Sequence, residues 1–295
     1  MQNFAITVFT PTFNRAMCLP ALYRSLCAQT SHDFVWLIVD DGSTDDTGTV
    51  VDGFLSEGKI TVRYHKRENG GKYRAHNTGV LLADTELFVC VDSDDTLAPD
   101  AVEKTLAFWK TAPSGVAGIV SPKKMKNGTS CFRHVPAVGE LRKLYAEHRI
   151  VGETMLVYRT EVLRRHLFPE LFAEKFMPEA VVYFDIDREA PLATQDAPLY
   201  LSDYLDDGLT KNIFAVQLES PNNVLLCYKF MSVYCAAYRQ RALNEARYLA
   251  WRRLLSLEKC DRYRTKFLTV LGGALLFPAV YRKMKRQKAM AEKNK

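Results

Sequence analysis

The chain has 295 residues, 47% of them hydrophobic and 25% charged, with 15 Gly and 12 Pro. That length allows one elaborated α/β unit or a domain with a helical appendage, and the composition excludes disordered, collagen-like and disulfide-scaffold proteins. The formal net charge of +6 belongs to one end: residues 282–295 hold seven Lys or Arg and one Glu, and the remainder balances at 33 basic against 33 acidic. Such a tail is a solvated end, a contact for anionic lipid or, last in order, a nucleic-acid arm, and no nucleic-acid partner is expected.

The first apolar run, AITVFT at 5–10, predicts a strand, followed by the breaker stretch PTFNR. Leu19, Leu22, Tyr23 and Leu26 recur at helical spacing. A second run, FVWLIV at 34–39, ends in DDGSTDDT, after which Val50, Val51, Phe54 and Leu55 repeat the helical period. ITVRYH at 60–65, the loop ENGGK, a short helix through Ala75 and Val80, and a strand over ELFVCVDSDD at 86–95 continue the alternation. Pro99 suits the first turn of a helix reaching about Trp109, and VAGIVS at 116–121 predicts a further strand.

Continuous apolar strands alternating with amphipathic helices predict an α/β fold, a mostly parallel central sheet with helices on both faces. Ligands in such sheets lie beyond the carboxyl ends of the strands. Three of those ends carry polar clusters, Pro11 to Arg15, Asp40 to Asp46 and Asp92 to Asp95, and are expected to converge on one edge. Beyond about residue 125 the periodicity weakens, and from Val224 to Leu257 it becomes helical. FLTVLGGALLFPAVY, 267–281, is uncharged over fifteen residues. A bilayer span needs about 20 such residues, so a buried or interfacial helix is expected there.

The seven cysteines are odd in number and scattered, without zinc or disulfide spacing, which suggests a reducing compartment. Cys131 and His134 lack a second pair and read as structural. No charged region and apolar run open the chain as in a signal peptide, so a cytosolic start is expected.

Neither G-x-G-x-x-G after the first strand nor G-x-x-x-x-G-K-[ST] occurs, which removes dehydrogenase and P-loop readings. Carboxylates stand at the strand ends instead. Asp92, Asp94 and Asp95 repel one another unless a cation sits between them, and oxygen-only ligands suit Mg²⁺ or Mn²⁺. The alternative is a solvated turn capping the next helix, with Asp95 as the cap. Asp40 and Asp41 either accept from a base N–H or begin an Asx-type turn with Gly42 and Ser43. Phe13 offers a stacking face or packs in the core. Lys72 and Arg74 can neutralise a diphosphate, beside Gly70 and Gly71 that let backbone approach a ligand.

Jointly, TVFTPTFNR at 7–15, LIVDDGSTDDT at 37–47, NGGKYRAHNTG at 69–79 and VDSDDTLAPDAV at 91–102 resemble the family 2 glycosyltransferases, with their nucleotide-sugar-binding A-type fold. The resemblance implies that Pro11 and Phe13 line the nucleotide base, that Asp41 bonds the base N–H, that Asp94 is the metal ligand of the D-x-D motif with Asp95 beside it, and that Asp92 orients ribose or donor sugar. Asn14, Arg15, Asp40, Lys72, Asn77 and Ser93 fall within the same nucleotide-sugar motifs. The donor it implies by default is a UDP-sugar.

Further on, VYRTEVL at 157–163, FPELFAEKFMPEAVVY at 168–183 and YLDDGLTKN at 204–212 look like a bacterial, polysaccharide-type subgroup with an acidic residue in the acceptor region. Glu179 fills that place as the catalytic base, with Asp185, Asp187 and Asp196 as the other candidates; its structural alternative is an acid at a helix start. The resemblance implies a catalytic domain over 1–223 (nucleotide-sugar half 1–125, acceptor half 126–223) and a helical extension with a basic tail over 224–295. It further implies an inverting transfer to a glycan or lipid-linked saccharide. The uncharged stretch followed at once by seven basic residues predicts peripheral membrane attachment through the C-terminus without a spanning helix, in the cytoplasm at the inner face of the membrane. The rival reading is a non-catalytic sugar-nucleotide-binding scaffold on the same fold.

Overall fold

The alternation read from the periodicity is the one the chain adopts in the computed structural model, which describes residues 4–124, 131–202 and 213–293. In order come β1 (Ile6–Thr12), α1 (Leu19–Cys27), β2 (Phe34–Asp40), α2 (Thr47–Glu57), β3 (Val62–Lys66), α3 (Lys72–Leu82) and β4 (Leu87–Cys90). Then follow β5 (Asp95–Leu97), α4 (Ala101–Trp109), β6 (Gly118–Lys124), β7 (Val138–Gly139), α5 (Leu141–Ala146), β8 (Thr154–Arg159), α6 (Thr160–Arg165), α7 (Ala180–Ile186), β9 (Leu192–Thr194) and β10 (Tyr200–Ser202). The last described elements are α8 (Ile213–Leu218), α9 (Pro221–Tyr234), α10 (Tyr238–Leu255) and α11 (Phe267–Lys293). The motif YLDDGLTKN at 204–212 lies outside the described residues.

Strand order is β3-β2-β1-β4-β8-β6-β10-β5. From β3 to β4 the strands are parallel, and every residue of β1 and β2 is buried, as expected of strands covered on both faces. Pro11 is tolerated within β1 because the β1–β4 ladder stops at Phe9 and Cys90, so the proline has a strand neighbour, β2, on one side only. β8 runs antiparallel between β4 and β6, a departure from the parallel pattern. The strand expected over 86–95 divides: Leu87–Cys90 pairs with β1, the chain turns through Asp92 to Asp94, and Asp95–Leu97 pairs antiparallel with β10. Pro99 stands before α4 rather than in its first turn, with Asp100 at the cap position.

Two compact units divide the chain, and not at 223: Met1–Leu167 with Ile186–Leu205, and Phe168–Asp185 with Asp206–Lys295. In the first, the apolar face of α1 (Leu19, Leu22, Tyr23, Leu26) packs with Trp36 and Phe54, Tyr23 stacking on Phe54 at 4.1 Å between centroids. In the second, Val224, Leu225, Tyr248, Trp251 and Met284 form the core, and the Trp251 indole N–H donates to the Pro221 carbonyl at 3.0 Å. A buried Lys229 ammonium there donates to both Glu245 oxygens at 3.2 Å, and Thr265 donates to Oε2 at 3.1 Å.

The C-terminal reading needs one correction. The uncharged stretch and the basic residues after it form a single helix, α11, of 27 residues with Pro278 inside it. The uncharged run ends at Tyr281, but Phe267–Glu292 is long and apolar enough to cross a membrane by length and composition. Gly272 and Gly273 do not break this helix. A Cβ on Gly272 would stand 2.5 Å from the Tyr238 hydroxyl and one on Gly273 2.7 Å from Glu245 Cβ, so both glycines let α11 pack closely on α10.

Candidate active site

Register brings the loops after β1, β2 and β3 together, because Thr12 pairs with Asp40 and Asp40 with Lys66. Asn14, in the left-handed region at φ 51°, ties the first two loops: its amide donates to Ser43 Oγ at 2.9 Å, and its Oδ1 accepts from the Thr44 amide at 2.8 Å. Arg15 follows, its carbonyl accepting the Cys18 amide at the entrance to α1. Phe13, between the buried Thr12 and this clamp, is 45% exposed, so its ring is presented rather than packed in the core.

Asp40 and Asp41 divide the two roles the sequence left open. Asp40 is fully buried; its oxygens accept the Ser43 amide at 2.7 Å and the Tyr64 hydroxyl at 2.6 Å, which makes the Asx-type turn. Asp41 is also buried, and its partners are protein groups: Arg67, the Gly70 amide at 3.0 and 3.1 Å and the Gly71 amide at 2.6 Å. In the structure the backbone N–H groups of the glycine loop thus bond to this carboxylate. Gly71 caps α3 at φ 97°, a conformation that leaves little room for a side chain. Arg74 reaches back to the Gly70 carbonyl at 3.0 Å.

Lys72 opens α3 and reaches the turn after β4, its Nζ 2.8 Å from Asp92 Oδ1. Burial alone would raise the Asp92 carboxyl, but Lys72 first, and then Lys123 and His76, outweigh it and hold it below the usual range. The Asp92 amide donates to the Tyr200 hydroxyl at 2.9 Å, and the Asp95 amide to the Asp92 carbonyl at 3.0 Å. Ser93 is buried inside this turn, and Asn77 and His76 are buried in α3.

Asp95 faces inward. Its Oδ2 is 3.6 Å from Lys123 Nζ, which also holds Glu153 at 3.0 Å and lies 4.1 Å over the Tyr200 ring. Burial raises the Asp95 carboxyl, opposed by Lys123 and Tyr200. Among the described residues, Asp94 alone of the three turn aspartates has no hydrogen-bond or ion-pair partner, and it is partly exposed. No group of three or more His, Cys, Asp or Glu gathers for a metal among the described residues. A magnesium or manganese ion held by one or two carboxylates and substrate phosphates needs no such group. The unpartnered Asp94 carboxylate therefore fits such an ion, whereas Asp95 is already engaged.

Glu179 belongs to the second unit, exposed, just before α7; its carbonyl accepts the Val182 amide at 3.0 Å. Of the other candidate bases, Asp187 caps α5, accepting the Leu141 amide at 2.8 Å and the Arg142 amide at 2.6 Å, with burial pushing it up to about 6. Asp185 is half-buried and Asp196 exposed. Sequence reasoning passed over Arg67, Lys123, Tyr200 and Glu153, which lie outside the motifs and reach the site only through the strand arrangement.

The profile of "Glycosyl transferase family 2" matches residues 7–167. The chain belongs to glycosyltransferase family 2. Within this family it is 32% identical over 98 residues to the glycosyltransferase GlyG of Streptococcus pneumoniae serotype 4, covering 33% of either chain. It is 34% identical over 103 residues to a PGL/p-HBAD biosynthesis glycosyltransferase of Mycobacterium bovis, covering 35% of this chain and 40% of that protein. The chain thus spans only about a third of the length of such relatives.

Solved structures extend the likeness in fold. S. aureus TarS 1-349 superposes with a TM-score of 0.58 at 20% identity, over 95% of this chain and 82% of that one. The mannosyltransferase PcManGT from Pyrobaculum calidifontis, in complex with GDP-Man and Mn2+, gives 0.54 at 15% identity over 99% and 76%. The fold is the A-type glycosyltransferase fold of these neighbours, with a C-terminal helical part.

Proposed function

We propose that this family 2 member transfers a sugar from a nucleotide-diphospho-sugar, a UDP-sugar by default, to a hydroxyl of a glycan or lipid-linked saccharide, with inversion at the anomeric carbon. The observation that carries the reading is the carboxylate turn after β4: Asp94, without a partner among the described residues, beside Asp92 that is kept ionised by Lys72. A TarS structure in complex with UDP-GlcNAc shares the fold at a TM-score of 0.56, which supports UDP as the default nucleotide.

Phe13 stacks on the base at the open end of β1, with Pro11 beneath it. Asp41 acts through the Gly70–Gly71 loop, whose backbone it holds, and Lys72 bonds the diphosphate from the start of α3. Asp92 and Ser93 face the ribose or donor sugar, with Asn77 behind them. Asp94 holds Mg²⁺ or Mn²⁺, which when bound neutralises charge on the diphosphate. Glu179 accepts the proton of the acceptor hydroxyl as its oxygen bonds the anomeric carbon and the bond to the diphosphate oxygen breaks. The reading places the chain in the cytoplasm at the inner membrane face, attached through α11.

The test is release of nucleoside diphosphate from a panel of nucleotide sugars by purified protein with Mn²⁺. Slow hydrolysis of one UDP-sugar above the others is expected. Binding of UDP-sugars without any turnover, with acceptor extracts present, would support the scaffold reading instead.

A further inference from the structure

Charge and exposed apolar surface gather in the second unit. Residues 224–295 hold seventeen Lys or Arg against four Asp or Glu, so the basic excess extends well before the tail. Phe267, Leu268, Val270, Leu271, Leu275 and Leu276 are all exposed on the first turns of α11. Leu268, Leu271 and Leu275 share one helix face, and Arg282 and Arg286 continue it.

α10 and α11 border an open groove of about 780 Å³, lined by Leu249, Leu257, Ala274 and Phe277 and by Arg252 and Arg253. Both arginines lie in the last turn of α10, where the helix dipole favours cations. Arg252 uses Nε on the Leu257 carbonyl at 3.3 Å. Among the described residues neither guanidinium is paired with a carboxylate, although the groove floor beside them is apolar.

We propose that this groove seats one anionic phospholipid of the bilayer surface, its phosphate against Arg252 and Arg253 and its acyl chain along Leu249, Leu257, Ala274 and Phe277. The proposal rests on the membrane-attached reading above and adds to it a defined lipid contact. A soluble phosphate would leave the apolar floor in water, and an apolar segment would bury two unpaired cations. A phospholipid matches both halves at once, and guanidinium forks suit phosphate oxygens. The exposed leucines of α11 and the arginines that continue their face supply the insertion and polybasic signals that bring such a lipid within reach.

Two measurements on the full chain test this. Co-sedimentation with vesicles of phosphatidylcholine alone, or with one-fifth phosphatidylglycerol, reads membrane attachment. Native mass spectrometry of detergent-held protein with added phosphatidylglycerol or phosphatidylcholine reads the groove. The parent is expected to pellet with the anionic vesicles and to retain one phosphatidylglycerol. Arg252→Gln/Arg253→Gln, with folding checked by circular dichroism, should weaken that retention tenfold or more and leave UDP-sugar hydrolysis unchanged. Lys283→Gln/Lys285→Gln/Arg286→Gln should keep the adduct while pelleting less. Equal retention of the two lipids, an adduct unchanged in the arginine variant, or lipid found only on a dimer would overturn the groove while leaving membrane attachment standing. A parent that pellets with neither vesicle would sink the membrane reading and the groove together.

Discussion

Lys72 Nζ stands 2.8 Å from Asp92 Oδ1 and joins the first turn of α3 to the carboxylate turn after β4. Two motifs twenty residues apart are thereby one electrostatic unit: the cation proposed to bond the diphosphate also keeps its neighbouring carboxylate ionised. Lys72→Met should weaken UDP binding by about tenfold or more, since a charge-assisted hydrogen bond contributes about 1.5–3 kcal/mol. Calorimetric titration with UDP and Mn²⁺ reads it; unchanged affinity would confine Lys72 to holding Asp92.

Asp94→Asn should abolish the divalent-dependent part of nucleoside-diphosphate binding, because among the described residues this is the turn carboxylate that no protein group neutralises. Titrations with and without Mn²⁺ check it. Equal diphosphate affinity in the parent under both conditions would remove the metal role.

Glu179→Gln should lower turnover by roughly 10²-fold or more while donor affinity stays near the parent's, since a base acts on the acceptor. Near-normal turnover would move the role to another acid. Asp187 is the weakest replacement, because both of its oxygens cap α5.

Asp41→Ala removes a carboxylate that accepts from Arg67 and from the Gly70 and Gly71 amides in a buried place. Breaking such a pair costs about 3–5 kcal/mol, so loss of nucleotide binding should come with an early thermal transition. Phe13→Ala should weaken the nucleotide without that shift, the ring being half exposed. A parent-like melting curve for Asp41→Ala would contradict its role as the anchor of the loop.

His76 lies edge-on to Phe9 and Phe88 at 5.6 and 5.5 Å, and burial, with Lys72 adding to it, drives its pKa down to about 3. An unfolded imidazole takes a proton near pH 6.5, so below that the unfolded state binds more protons than the fold. This contribution is complete above about pH 6.5 and falls with pH at up to about 1.4 kcal/mol per unit. Urea unfolding at pH 7, 6 and 5 should show a shallower decline in His76→Phe; parallel declines would place the acid sensitivity elsewhere.

Strands and helices through Trp109 were legible because a two-sided parallel sheet writes continuous apolar runs, and helices write a period near 3.6, into the local sequence. The family was legible for a related reason: backbone turns and polar strand ends demand particular residues at short spacing. Asp40 and Asp41 show where this stops. Adjacent and chemically identical, they differ only in what their neighbours from β3 and the glycine loop offer, Tyr64 to one and Arg67 to the other.

By itself the sequence determined the parallel half of the sheet, the four motif loops at its carboxyl edge and the basic end of the chain, all set by residues close in sequence. Tertiary structure alone decided that β8 enters antiparallel beside β4, that Lys123 and Tyr200 hold Asp95 while Asp94 has no partner among the described residues, and that α11 runs unbroken through two glycines and a proline against α10. Those outcomes depend on pairings between segments up to 108 residues apart, as between Asp92 and Tyr200, where burial and charge neutralisation act through space and leave no local period to read.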